Sequence, residues 1–198
     1  MPIATRFGGP EDCSAIHEVI ATAGWGITRE CVQVVQALDP QAYVLATDDS
    51  GYVIGVGFGL GFRASAWIGH LVVRPESRGG GVGRTMFEQL LSRLKQLGRW
   101  PIYLTATQMG APLYAKFGFI EDGGWTRWTM PETGQPETDV YQDYSEEVHV
   151  RAMIDSDLSE VSRFDAERFG DYRGELLGLF HRLYPGESLV ACRPDGQV

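Results

Sequence analysis

The segment Leu71 to Lys95, LVVRPESRGGGVGRTMFEQLLSRLK, constrains this chain more than any other. Leu71, Val72 and Val73 are apolar and mostly β-branched, Pro75 ends that run, and Met86, Phe87, Leu90, Leu91 and Leu94 recur at helical spacing. The order predicted is strand, glycine loop, helix. A loop in that place has a physical use, because the first turn of a helix presents N–H groups without internal partners and a partial positive charge. Anions collect there. Glycines remove the Cβ atoms that would hold a phosphate off, and they permit the left-handed turns of an anion-binding nest. Arg78 and Arg84 add cationic donors at the two ends of the loop.

Spacing separates the phosphate-binding patterns. A dinucleotide fingerprint needs glycines at i, i+2 and i+5, but counting from Gly79 or Gly81 the last position holds Arg84 or Met86. A P-loop needs Gly-Lys-Ser/Thr, and no lysine follows until Lys95. A plain glycine-rich turn is the bland alternative. What fits is Arg78-x-x-Gly81-x-Gly83 after the strand end, which resembles the pyrophosphate-binding motif of the GNAT superfamily of acyl-CoA N-acyltransferases. A second segment, Leu104 to Thr107 followed by Gly110 to Phe119, resembles that family's closing Y-x-x-x-G-F signature, here Tyr114 to Phe119. Thr105 and Gln108 depart from the pattern, standing where an Asp and a cofactor-binding Asn are expected.

The chain of 198 residues carries a formal charge of −9, which disfavours nucleic acid and attracts a cationic amine. No apolar run is long enough to span a membrane, and the first residues lack the layout of a signal peptide, so a cytoplasmic location is expected. Cys13, Cys31 and Cys192 have neither disulfide-framework nor zinc spacing, so no metal is expected.

Taken in order, Ile3 to Phe7 reads as a strand, then come two helices broken at Ala23-Gly24-Trp25-Gly26, with Thr28 capping the second. Ala42 to Thr47 and Tyr52 to Leu60 form a hairpin, and Gly55, Gly57, Gly59 and Gly61 strip one face of the second strand of side chains. Ala66 to Val73 leads into the glycine loop. Ile102 to Ala106 is the next strand, Gly110 to Phe117 a short helix, and Phe119-Ile120 with Trp125 to Met130 two closing strands. The fold class expected is α/β, a mixed sheet with helices on both faces, and the resemblance adds that the sheet is splayed.

Residues 131–147 are acidic and polar and read as a linker between a unit over 1–130 and one over 148–198. At an offset of 145, residues 148–198 repeat the plan of residues 3–53 without gaps: Arg6 meets Arg151, Asp12 meets Asp157, Pro40 meets Pro185 and Gly51 meets Gly196. A partial duplication is the expectation, lacking the acyl-CoA motif. The resemblance points the same way, to a bacterial type in which a degenerate GNAT-like unit follows an intact one. Leu176, Leu177, Leu179, Phe180 and Leu183 give the second unit an apolar face, expected to be covered by the first unit, by a homodimer or by further chain of a truncated second domain.

The resemblance implies an N-acetyltransferase that uses acetyl-CoA and a small-molecule amine. Arg78, Gly79, Gly80, Gly81, Val82, Gly83 and Arg84 would wrap the pyrophosphate; Leu71, Val72 and Val73 would bind the pantetheine arm as an added strand. The N–H of Leu71 would hold the thioester oxygen, Tyr114 would protonate the departing thiolate, and Trp25 would wall the acceptor site. His70 is a candidate base by its ordinary pKa near 6.5, although strand alternation points it away from Leu71 and puts Trp67 on the Leu71 face, where Trp67 is a further candidate for the substrate site. Water relayed to a carboxylate or carbonyl is the competing base. An acyl-CoA sensor or scaffold without turnover is the competing function.

Overall fold

The computed structural model describes residues 3–124 and 148–196. Five strands, β1 (Ala4–Phe7), β2 (Tyr43–Thr47), β3 (Val53–Gly61), β4 (Ala66–Val73) and β5 (Ile102–Leu104), lie side by side in chain order. The first four pair antiparallel, and β5 joins β4 in parallel. Helices α1 (Cys13–Ala21) and α2 (Arg29–Leu38) cover one face, packing Ile16, Val19, Ile20 and Val32 on Tyr43, Leu45, Val56 and Val72. Thr28 caps α2 by accepting from the N–H of Cys31 at 3.3 Å. Helix α3 (Val82–Gln96) covers the other face, with Met86, Phe87, Leu90 and Leu94 fully buried against Val44, Ala46, Ala66 and Ile68.

The bare face of β3 is the seat of α3. A Cβ added at Gly55 would stand 2.8 Å from Met86 Cε, one at Gly57 2.8 Å from Leu71 Cδ1 and 3.1 Å from Leu90 Cδ1, and one at Gly59 3.1 Å from Leu94 Cδ1. Each of those side chains gains roughly 1.5–3 kcal/mol from burial, and the glycines let them reach the sheet.

Beyond β5, the strand expected to Ala106 stops at Leu104, and residues 105–107 are exposed. Helix α4 (Ala111–Ala115) is shorter than expected. Phe119-Ile120 forms no strand: Phe119 packs on the ring of Phe87 at 5.7 Å, and Ile120 is exposed. The strand expected over Trp125 to Met130 and the linker over 131–147 lie outside the described residues.

Elements β6 (His149–Ala152), α5 (Leu158–Phe169), α6 (Gly174–Leu183) and β7 (Leu189–Cys192) follow. Shifted by 145, the bounds of β1 and α2 coincide with those of β6 and α6, and the pairing Ala4↔Thr47 becomes His149↔Cys192. The local chemistry coincides too. Arg6 forks onto Asp12 at 2.7 and 2.6 Å while Gly9 N–H donates to Asp12 at 2.9 Å; Arg151 forks onto Asp157 at 2.6 and 2.8 Å while Ile154 N–H donates at 2.9 Å.

These later elements pack on the earlier ones. Helix α6 packs against α2, and Phe169 meets the ring of Phe62 edge-on at 5.5 Å and the tilted ring of Trp67 at 6.4 Å. Asp171 is buried in the junction, its Oδ2 accepting from Ala64 N–H (3.0 Å), Ser65 N–H (2.7 Å) and Ser65 Oγ (2.8 Å) at the β3–β4 turn. Desolvation pushes that carboxyl up, but these donors pull harder and hold it at about 2.

Two outcomes test this packing. Gly57→Val should lower unfolding stability by about 1–3 kcal/mol in urea melts, because its branches meet Leu71 and Leu90; an unchanged midpoint would mean that α3 is not held by the bare strand. Asp171→Asn should cost about 1–3 kcal/mol at neutral pH, since the carboxylate's donors lose their charged acceptor. The carboxyl is lowered, so its contribution is present above about pH 4 and disappears as pH falls through about 2. In the variant that acid-side slope should flatten.

Candidate active site

Strand β4 pairs with β5 only over Ala66↔Ile102, Trp67↔Tyr103 and Ile68↔Leu104. Beyond Ile68 its β5-side edge runs five residues further, to Val73, with no strand beside it among the described residues. On the β3 side the ladder passes from Phe58↔Gly69 to Val56↔Val72, so His70 and Leu71 together oppose Gly57. This is a bulge, and at its centre His70 holds φ +48°, the left-handed region that a side chain enters only under constraint. Gly57 makes room for Leu71, whose Cδ1 would stand 2.8 Å from a Cβ at that position.

The bulge corrects the expected facing of Trp67. Ala66 and Ile68 pack on the α3 face, and so do Leu71 and Val73, while Val72 packs on the α1–α2 face. Alternation therefore slips between Ile68 and Leu71. Trp67 shares the face of His70 rather than that of Leu71, and there it touches Tyr103 and Phe169. His70 does point away from Leu71, into rings of Trp25 (6.4 Å), Tyr43 (6.4 Å) and Phe58 (4.7 Å). Its Nδ1 lies 3.3 Å from the Tyr43 hydroxyl, and burial pushes its pKa down to about 4, so the ring is neutral at physiological pH. Tyr43 and Phe58, buried and half-buried, were not singled out by sequence reading. Their strand positions were legible, but not that the bulge would aim His70 between them.

At the end of β4 the loop 78–81 is exposed. Gly79 and Gly81 take φ of +84° and +85°, Gly81 standing as the left-handed N-cap of α3, conformations that a side chain would strain. Among the described residues, none of the backbone N–H groups from Gly79 to Arg84 has a protein partner; the next one, of Thr85, donates to Gly81 O at 3.0 Å. Val82, buried, anchors the first turn. Arg78 Nε donates to Val73 O at 3.0 Å, tying the loop to the strand end. Arg84, expected as a free cation, is paired with Glu88 at 2.9 Å one turn along the same helix.

Tyr114, on α4, packs its ring 5.0 Å from that of Phe87, on the α3 face with Leu71. Its ring passes so close to Gly110 that a Cβ there would meet it at 3.0 Å. Burial raises the phenol's pKa, which keeps it protonated.

Residues 39–121 match the family model described as an acetyltransferase (GNAT) domain. That matched stretch contains β4, the loop, α3 and Tyr114. Solved structures carry the same fold. A candidate acetyltransferase of Pyrococcus horikoshii is 21% identical with a TM-score of 0.73; the match covers 98% of this chain and 65% of that one, so this chain spans under two thirds of that protein's length. Rv2747 of Mycobacterium tuberculosis, solved with CoA and NLQ, is 20% identical with a TM-score of 0.54, over 61% of this chain and 74% of that one. A predicted acetyltransferase of Clostridium acetobutylicum, solved with acetyl-CoA, is 20% identical with a TM-score of 0.52, over 65% of this chain and 96% of that one. No curated protein gives a significant match.

For His70 the expected NMR signature is a ring signal that stays flat from pH 8 to pH 5 and moves only near pH 4. Because an unfolded His takes up its proton near 6.5, stability should also fall as pH drops from that value toward 4. A midpoint above 6 would mean that the aromatic cluster does not enclose the ring.

Proposed function

We propose that the chain is an N-acetyltransferase that moves an acetyl group from acetyl-CoA to a primary amine by direct attack through a tetrahedral intermediate. The observation that carries this reading is the run of N–H groups from Gly79 to Arg84 without protein partners, beside the open edge of β4. Six consecutive amides, two left-handed glycines and a helix start suit a pyrophosphate, whose charge they would otherwise meet in water. The residues present fit the group: Arg78 stiffens the loop and adds charge, while Arg84, already paired with Glu88, contributes chiefly through its main chain. The edge from Gly69 to Val73 suits the extended pantetheine arm, with Leu71, Val72 and Val73 as main-chain partners.

The chain's own groups then divide the work. Leu71 N–H, in the step where the bulge interrupts the ladder, is the donor to the developing oxyanion; one such donor is worth about 2.7–4 kcal/mol. Tyr114, on the same face as Leu71 and held protonated, gives its proton to the leaving thiolate. His70, neutral and hydrogen-bonded to Tyr43, stands on the opposite face with Trp25 and Phe58, where these rings would wall the acceptor. A ring with a pKa of about 4 is a weak base, which favours water as the relay for the amine's proton. Trp67, against Phe169, supports the junction more than the acceptor. A cytoplasmic place suits the use of acetyl-CoA, and among the described residues no helix is long and apolar enough to cross a membrane.

We infer further that residues 148–198 are a partial second copy of the same plan. The repeated Arg–Asp forks and the equal pairing register support it.

Thermal shift with acetyl-CoA, then thiol release over an amine panel, tests the enzyme reading. Gly81→Asp should abolish the shift, since it combines a strained φ with a like charge at the phosphates. Tyr114→Phe should keep the shift but lower kcat about 10²–10⁴-fold. A shift without release on any amine would favour a sensor; no shift at all would overturn the donor.

A further inference from the structure

A cavity of about 480 Å³ lies where the two units meet, between the ends of α2 and α3, the β3–β4 turn and the start of α6. It is far from the glycine loop: the two lie at opposite ends of α3, whose 15 residues span about 22 Å. Four arginines line it, Arg63, Arg93, Arg99 and Arg173, in a chain whose formal charge is −9.

Two of those charges are already met. Arg93 pairs with Asp39, and Arg173 forks onto Asp165 at 2.8 Å through both nitrogens. The other two are not. Arg63 lies 4.0 Å over the Tyr172 ring, and Arg99 Nη1 donates to the carbonyl of Arg63 at 2.5 Å, so two guanidinium groups share one wall with no carboxylate partner among the described residues. The remaining acid of the lining, Glu175, is exposed and forms no ion pair among the described residues. Both side chains line the cavity as donors that an anion there could use. Leu38, Leu60, Phe62, Leu97 and Leu176 complete the wall. The first turn of α6, Gly174 to Leu176, adds main-chain donors on the same side.

We propose that this junction cavity binds a small polyanion, a metabolite-sized molecule with carboxylate or phosphate groups, held by Arg63 and Arg99. Planar guanidinium forks suit both groups. Such a ligand touches residues of both units at once, so its binding strengthens their docking.

Isothermal titration with citrate and, separately, with inorganic phosphate tests this at chloride-matched ionic strength. Saturable binding of at least one is expected; citrate alone would identify a carboxylate site, and phosphate alone a phosphoryl site. The double variant Arg63→Gln, Arg99→Gln should bind at least about tenfold more weakly. If that variant loses its fold by circular dichroism, Leu97→Glu, at a half-exposed position of the lining, adds a negative charge while keeping both arginines and should weaken binding likewise. Heats no larger than those of chloride, equal affinity in the folded variants, or displacement of the anion by acetyl-CoA would each overturn the proposal.

Discussion

Everything that places the candidate site follows from the contact between α3 and the bare face of β3. Gly55, Gly57 and Gly59 let Met86, Leu90 and Leu94 touch the sheet itself rather than other side chains. A helix seated that close has little freedom to slide or tilt. Its first residue, Val82, is thereby fixed relative to the end of β4, and the unpartnered amides of the loop are fixed with it. Glycine in a strand normally weakens it, so a stripe of them is a local loss that the packing of an entire helix offsets.

The bulge on β4 works in the same economy of space. Gly57 faces two residues instead of one, and the backbone strain collects at His70. One consequence is geometric: the residues before and after the bulge exchange faces, so Trp67 turns toward the second unit while Leu71 turns toward α3. Another is electrostatic, because the aromatic enclosure keeps His70 uncharged.

Much of this was legible in the sequence because it rests on local periodicity. The bounds of β4, the start of α3 and the Thr28 cap follow from apolar spacing, proline and glycine. The likeness of Arg6–Asp12 to Arg151–Asp157 was also legible, since each is a pair six residues apart. What escaped depends on tertiary contacts. Strict alternation put Trp67 with Leu71, because a one-residue slip leaves no mark in a run such as Ala66 to Val73. Phe119-Ile120 has the composition of a strand, yet Phe119 is taken up by Phe87 instead. The ties of Arg84 to Glu88 and of Asp171 to Ser65 needed, respectively, a choice of rotamer and a neighbour 106 positions away.

Those last separations set the order in which the molecule comes apart. The Arg151–Asp157 fork closes a loop of six residues, whereas the Asp171–Ser65 bond spans 106, a difference of about 2.5 kcal/mol in closure entropy. The second unit's strand and first helix thus carry their own short-range fastening, independent of the junction. Detachment of α5 and α6 from the β3–β4 turn is accordingly expected to be a hinge-like release of an assembled piece, detectable as hydrogen exchange at Ala64 and Ser65 that outpaces exchange within α5.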